Sequence, residues 1–239
     1  MDPYLLSFSD VLGDGNVADE RLVGIFNAWE AHGITDQEWI GLRRHLVIVA
    51  ACAEACIIRQ PADKWNADVR DLITASLLHD VAKRHEVEAI ANSSCSPVLL
   101  DEMARIQQLY LMQAWGIRVA GLVGNTQHMA LRLLENNPRA INEMAQALFL
   151  ADGICEDKGL VSIDDRIQGL MRRYPNIDKA GFSYYRLSAS TFTVLRKLLY
   201  QYLEQFALKH DLPPDEFLAY LRAAVKKRLD PVFYPPKSV

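Results

Sequence analysis

The chain has 239 residues, 50% of them hydrophobic and 23% charged, enough to bury a substantial core and too apolar for a disordered chain. Its formal net charge of −4 argues against duplex nucleic acid as a partner, although a local pocket can still be positive enough for a small anion. The longest apolar stretch, residues 46–58, is interrupted by Glu54 and falls short of the about 20 residues that cross a bilayer, so no membrane partner is expected.

The N-terminal MDPYLLSFSD lacks a basic region followed by a long apolar run, so no secretory leader is read there. A first helix is predicted over about 19–31, stopped by Gly33. A second begins at Thr35-Asp36-Gln37-Glu38, where Thr35 and Glu38 can form a capping box, carries His45 and ends before Pro61. On it, Cys52 and Cys56 stand one turn apart among Ala50, Ala51, Ala53 and Ile57. They read as small core residues and not as ligands. With Cys95 and Cys155 they form no C-x-x-C element, and a reducing cytoplasm is the expected location.

Asn66 can cap a third helix with apolar Val69, Ile73, Leu77, Leu78 and Val81 at three- and four-residue intervals. His79 and Asp80 are placed on it. Ser96-Pro97 opens a fourth helix that Gly116 ends, and a fifth over 117–134 carries His128. Pro138 starts a sixth, with Asp152 at its end and Gly153 as the break. Helices near 163–173, from about 182 to 208, and after Pro213-Pro214 follow, and Pro235-Pro236 leaves the tail irregular. No run of alternating β-branched residues stands out, so the expected class is all-α. The chain reads as a single domain, with a core over about 35–158 and a helical extension over about 159–239 in which a boundary near 175–181 is faintly suggested.

The chemistry begins with Leu77-Leu78-His79-Asp80-Val81-Ala82, two polar side chains inside an apolar run. Burying either without a partner would cost several kcal/mol, and one divalent cation would satisfy both. His45 lies in a second apolar run and Asp152 ends a third, so three segments each deliver a ligand-type residue from a core-facing stretch. Taken singly, His45 could be a hydrogen-bonded core histidine, His79-Asp80 a buried polar pair, and Asp152 a cap. Their joint occurrence favours a metal. Two imidazoles and two carboxylates suit iron, manganese, cobalt, nickel, zinc or magnesium.

His45, the LLHDVAK segment from Leu77 to Lys83 and the LADG segment from Leu150 to Gly153 resemble the H…HD…D signature of the HD superfamily. The resemblance covers roughly residues 44–157. It implies a helical bundle in which His45, His79, Asp80 and Asp152 hold the metal and a water attacks phosphorus in a small phosphorylated substrate, typically a nucleotide. In that setting Asp80 would orient the water or accept its proton, and Lys83 could reach a substrate phosphate or simply be a solvated lysine. Arg44 is a second phosphate candidate and Arg84 a weaker one.

Dinuclear relatives supply two further histidines before the last aspartate, whereas this chain offers His128. One ion is therefore favoured, with His128 a substrate contact or a ligand to a second ion; His85 is expected at the surface or the rim. Lys83 stands where the deoxynucleoside monophosphatases of the superfamily tend to carry glutamate, which argues against that activity. A di-iron oxygenase and a non-catalytic signalling module remain as alternatives. The extension after Asp157 could cover the pocket or form a homodimer contact.

Overall fold

In the computed structural model, residues 2–12, 20–57, 67–92 and 95–233 are described. Two short helices, α1 (Pro3–Leu6) and α2 (Ser9–Leu12), precede α3 (Glu20–Ala31). Gly33 takes a left-handed φ of 68° and Ile34 N–H reaches back to Trp29 O at 2.8 Å, the expected stop for that helix. The expected capping box does not form. Asp36 instead opens a short 3-10 turn, Gln37–Trp39, without a side-chain cap, and α4 (Ile40–Ile57) begins directly from it.

From His45 to Ala53 every residue of α4 is buried, as are Ala55 and Cys56, the signature of a helix enclosed on all sides. It packs against α5 (Ala67–Leu78), α9 (Glu143–Ile154) and α13 (Pro214–Phe233). Cys52, Cys56 and Cys155 are buried free thiols beside this axis. The expected cap at Asn66 and the expected breaks at Pro61 and Pro235-Pro236 lie outside the described residues.

The third helix is shorter than predicted. It stops at Leu78, and His79 to Ala82 form a turn before α6 (Lys83–Asn92). Ser96 caps α7 (Pro97–Gly124) by accepting Leu99 N–H at 3.3 Å, and Gly116, with φ 83°, interrupts the helix where its end was expected. A separate 3-10 turn, His128–Ala130, leads into α8 (Leu131–Asn136). His128 is therefore not on the predicted fifth helix.

Pro138 opens only a 3-10 turn, and α9 starts at Glu143, capped by Asn142, whose side chain accepts Ala145 N–H at 2.9 Å. Gly153 is not the break either: α9 runs on to Ile154, and a Cβ on Gly153 would sit 2.1 Å from Leu199 Cδ2. Its glycine is there for close helix packing. A two-residue antiparallel hairpin follows, Cys155–Glu156 with Gly159–Leu160, Cys155 opposite Leu160, too short to leave an alternation signal.

Helix α10 (Ile163–Arg173) has its predicted bounds, while the predicted long helix is two, α11 (Pro175–Tyr185) and α12 (Thr191–Lys209), separated at Arg186 in a left-handed conformation. Apart from the hairpin, every regular element among the described residues is helical, and the fold is all-α. One continuous cluster of buried side chains runs from Leu5 to Leu229, so the C-terminal helices share the core of α4 and α9. No described helix is long and apolar enough to cross a membrane.

The Gly153–Leu199 approach ties the end of α9, just after Asp152, to α12. Gly153→Ala is expected to destabilise the fold by about 1–3 kcal/mol through overpacking, and Leu199→Ala by about 2–5 kcal/mol through a cavity. Because the new methyl fills the space that Leu199→Ala vacates, the double variant should be more stable than the sum of the singles; urea unfolding of all four proteins measures this coupling.

Candidate metal centre

Three elements converge on one point. α4 supplies His45 from its first turns, the turn after α5 supplies His79, and α9 supplies Asp152. The ligand atoms of these three residues lie within 4.8 Å of one another. His45 Nε2 is 3.3 Å and His79 Nε2 3.4 Å from the same oxygen, Asp152 Oδ1. The two imidazole rings meet edge to face with centroids 5.2 Å apart.

These separations suit a cation. Neighbouring ligand atoms each about 2.0–2.2 Å from one ion stand about 3.0–3.5 Å apart in tetrahedral or octahedral arrangements, whereas a direct charged hydrogen bond closes to about 2.7–2.9 Å. His79 Nδ1 meets the Ser76 carbonyl at 2.7 Å. A carbonyl only accepts, so Nδ1 carries the hydrogen and Nε2 is turned toward Asp152, the tautomer that binds metal. That Nε2 is buried and has no hydrogen-bond partner.

The electrostatics agree. Burial by itself would lower the pKa of His79, but the carboxylates of Asp152 and Asp80 outweigh it and raise the ring to about 9. Burial opposes ionisation of Asp152, yet His79 and His45 hold its carboxyl well below the ordinary range. His45 itself is lowered, chiefly by desolvation and in part by His79. The pocket demands positive charge, and in the absence of a metal a proton on His79 supplies it.

The turn that presents His79 is braced from two sides. Gln107 of α7 donates to the His79 carbonyl and accepts Ala82 N–H at 3.2 Å, while Trp29 of α3 donates to Leu77 O at 2.9 Å. Neither residue was singled out in the sequence, where a lone glutamine or tryptophan in a helical run carries no distinguishing pattern.

Asp80 was expected as a fourth ligand. It is not part of the three-residue cluster; since helix α5 ends before it, the 100° offset of adjacent helical residues does not apply. It lines the same cavity. Burial raises Asp80, but Lys83 and His79 prevail and its carboxyl is lowered. Lys83 also lines the cavity, at the start of α6 and not one turn along the helix of Asp80. Its ammonium is 2.8 Å from Glu86 Oε1 and 6.0 Å from the Tyr174 ring centroid.

His128 lines the cavity as well, its ring stacked against Tyr185 at 6.5 Å, and burial followed by Lys83 lowers its pKa. It lies outside the cluster of three. Arg44 is turned away, donating from Nε to Tyr4 OH at 3.2 Å, and is not among the lining residues. Arg84 pairs with Asp36 at 2.7 Å and Glu88 at 3.1 Å, and His85 is exposed.

The cavity has a volume of about 580 Å³ and is lined by the triad together with Trp39, Arg166, Arg173 and Tyr174. Arg166 was missed in the sequence although a signal existed. On α10 it falls between Ile163 and Ile167, on the buried stripe continued by Leu170, where an arginine is unusual.

Compared with protein-family models, curated proteins and solved structures, the chain matches none.

Because His79 must lose its proton to ligate, zinc binding should release protons, and affinity should rise about tenfold per pH unit between pH 6.5 and 8, below the raised pKa of about 9. Calorimetry in buffers of different ionisation enthalpy measures the proton count. An affinity independent of pH over that range contradicts His79 as a ligand.

Proposed function

We propose that this chain is an HD-superfamily protein and a metal-dependent phosphohydrolase acting on a nucleotide or related phosphate ester. The observation that carries the reading is the shared Asp152 oxygen, with two imidazole Nε2 atoms at 3.3 and 3.4 Å, in a cavity lined by Lys83, Arg166 and Arg173 together with several carboxylates.

His45, His79 and Asp152 would hold one divalent transition metal, with iron, manganese, cobalt, nickel and zinc all compatible with the mixed nitrogen and oxygen donors and magnesium less so. Such an ion supplies a water made acidic enough to ionise near neutral pH and neutralises charge on phosphoryl oxygens. The chain's own residues divide the rest. Asp80, the fourth signature residue, lines the cavity one position from His79 and is the carboxylate placed to orient water and take its proton. Lys83 presents positive charge that Glu86 steadies, and it attracts the anionic substrate. His128, with Tyr185 behind its ring, offers a neutral donor or acceptor on the same wall. Arg44, committed to Tyr4, takes no part.

A panel of p-nitrophenyl phosphates and nucleoside mono-, di- and triphosphates, assayed with each metal in turn, tests the reading. Turnover should depend on added metal and fall by about 10²–10⁴-fold in Asp80→Ala with the helical circular dichroism unchanged. Lys83→Ala should raise KM more than it lowers kcat. Metal-loaded protein inactive across the whole panel would overturn the proposal.

A further inference from the structure

We propose that Arg166, on α10 in the C-terminal part of the chain, is the anchor for the anionic group of the substrate, binding its phosphoryl oxygens beside the His45, His79 and Asp152 cluster. The inference rests on the phosphohydrolase reading for the identity of the anion, and on the contacts of Arg166 for the site.

Arg166 is a largely covered cation with loose partners. Its side chain is 11% exposed and its head lines the cavity. Nη2 is 3.4 Å from the Asp152 carbonyl oxygen and 3.9 Å from Asp152 Oδ1, and Nη1 is 3.5 Å from Glu156 Oε1. Nε is buried without a partner. A guanidinium presents five N–H donors, and burying them unsatisfied is costly. Arg43 and Arg228 also leave one buried guanidinium nitrogen without a hydrogen bond, but each closes on a carboxylate: Arg43, also 11% exposed, on Asp2 at 2.8 Å, and Arg228 on Asp10 and Glu54 at 2.9 and 3.1 Å. Arg166 has no such short pair.

Charge balance explains why its partners are poor. Asp152 Oδ1 is turned toward the two imidazoles, so a cation between them draws that carboxylate away from Arg166. Glu156 is shared, because Arg173 Nη2 lies 3.4 Å from the same Oε1. Two guanidinium groups then share the Glu156 carboxylate next to the metal seat, and neither closes on it at the distance of a short charged pair. A tetrahedral oxyanion fits there on chemical grounds: a planar fork of N–H donors matches two phosphoryl oxygens in a way that an ammonium does not.

The test is calorimetric titration of inorganic phosphate into the full chain, with and without manganese, for wild type, Arg166→Ala, Arg166→Gln and Arg166→Lys. Metal content is measured on the same samples. Arg166→Gln keeps most of the stem that packs on α10, so it serves if the alanine variant does not fold. With manganese retained, phosphate affinity should fall by about tenfold to a hundredfold in Arg166→Ala and Arg166→Gln, and Arg166→Lys should recover only part of it.

Phosphate affinity unchanged in the folded variants overturns the proposal. So does loss of manganese together with phosphate, which would make Arg166 a positioning residue for Asp152. A wild type that takes up no manganese removes the phosphohydrolase reading. In that event, phosphate bound by the metal-free chain and lost in Arg166→Gln still upholds Arg166 as the anion site, and no phosphate binding at all overturns it.

Discussion

Two buried imidazole nitrogens facing one carboxylate oxygen need a positive charge between them. His45 Nε2 and His79 Nε2 share Asp152 Oδ1, and this single requirement organises the centre of the molecule. Without a cation, a proton is drawn onto His79 against the cost of burying charge. A divalent ion meets the same demand with ligand-to-ligand spacings the side chains already have.

That constraint accounts for features that packing alone leaves unmotivated. Helix α5 ends one residue before His79, so the backbone turns at the site and its polar groups need partners; Gln107 supplies them, and the Ser76 carbonyl accepts from the His79 ring. The glycine at 153 admits Leu199 against the end of α9, which locks the segment carrying Asp152 onto α12. The C-terminal helices are therefore part of the site's framework. α10 also brings Arg166 and Arg173 to the cavity, and Tyr174 follows directly after it.

Much of this was legible in the sequence, for definite reasons. The all-α class and the bounds of α10 follow from apolar periodicity and polar breaks, and Gly33, Ser96 and Gly116 act where glycine and cap preferences put them. His45, His79 and Asp152 stood out because ligand-type residues in apolar runs need partners. What failed was local. The apolar positions Leu72, Ile73, Leu77, Leu78 and Val81 continue past the helix end at Leu78, since a buried turn places apolar residues inside as a buried helix does. Gly153 and Pro138 were given their commonest meanings, while tertiary packing and a 3-10 turn determined their actual ones. Asp80 and Lys83 were placed by helical geometry that stops before reaching them.

Whether His45, His79 and Asp152 form a metal seat is measured by elemental analysis of the chain purified without chelators, with His79→Ala and Asp152→Asn purified alongside. Wild-type protein should hold about one equivalent of a divalent transition metal per chain and either variant none, because each removes one of the three ligands clustered among the described residues. Wild-type protein holding no more metal than the variants would contradict a metal seat there.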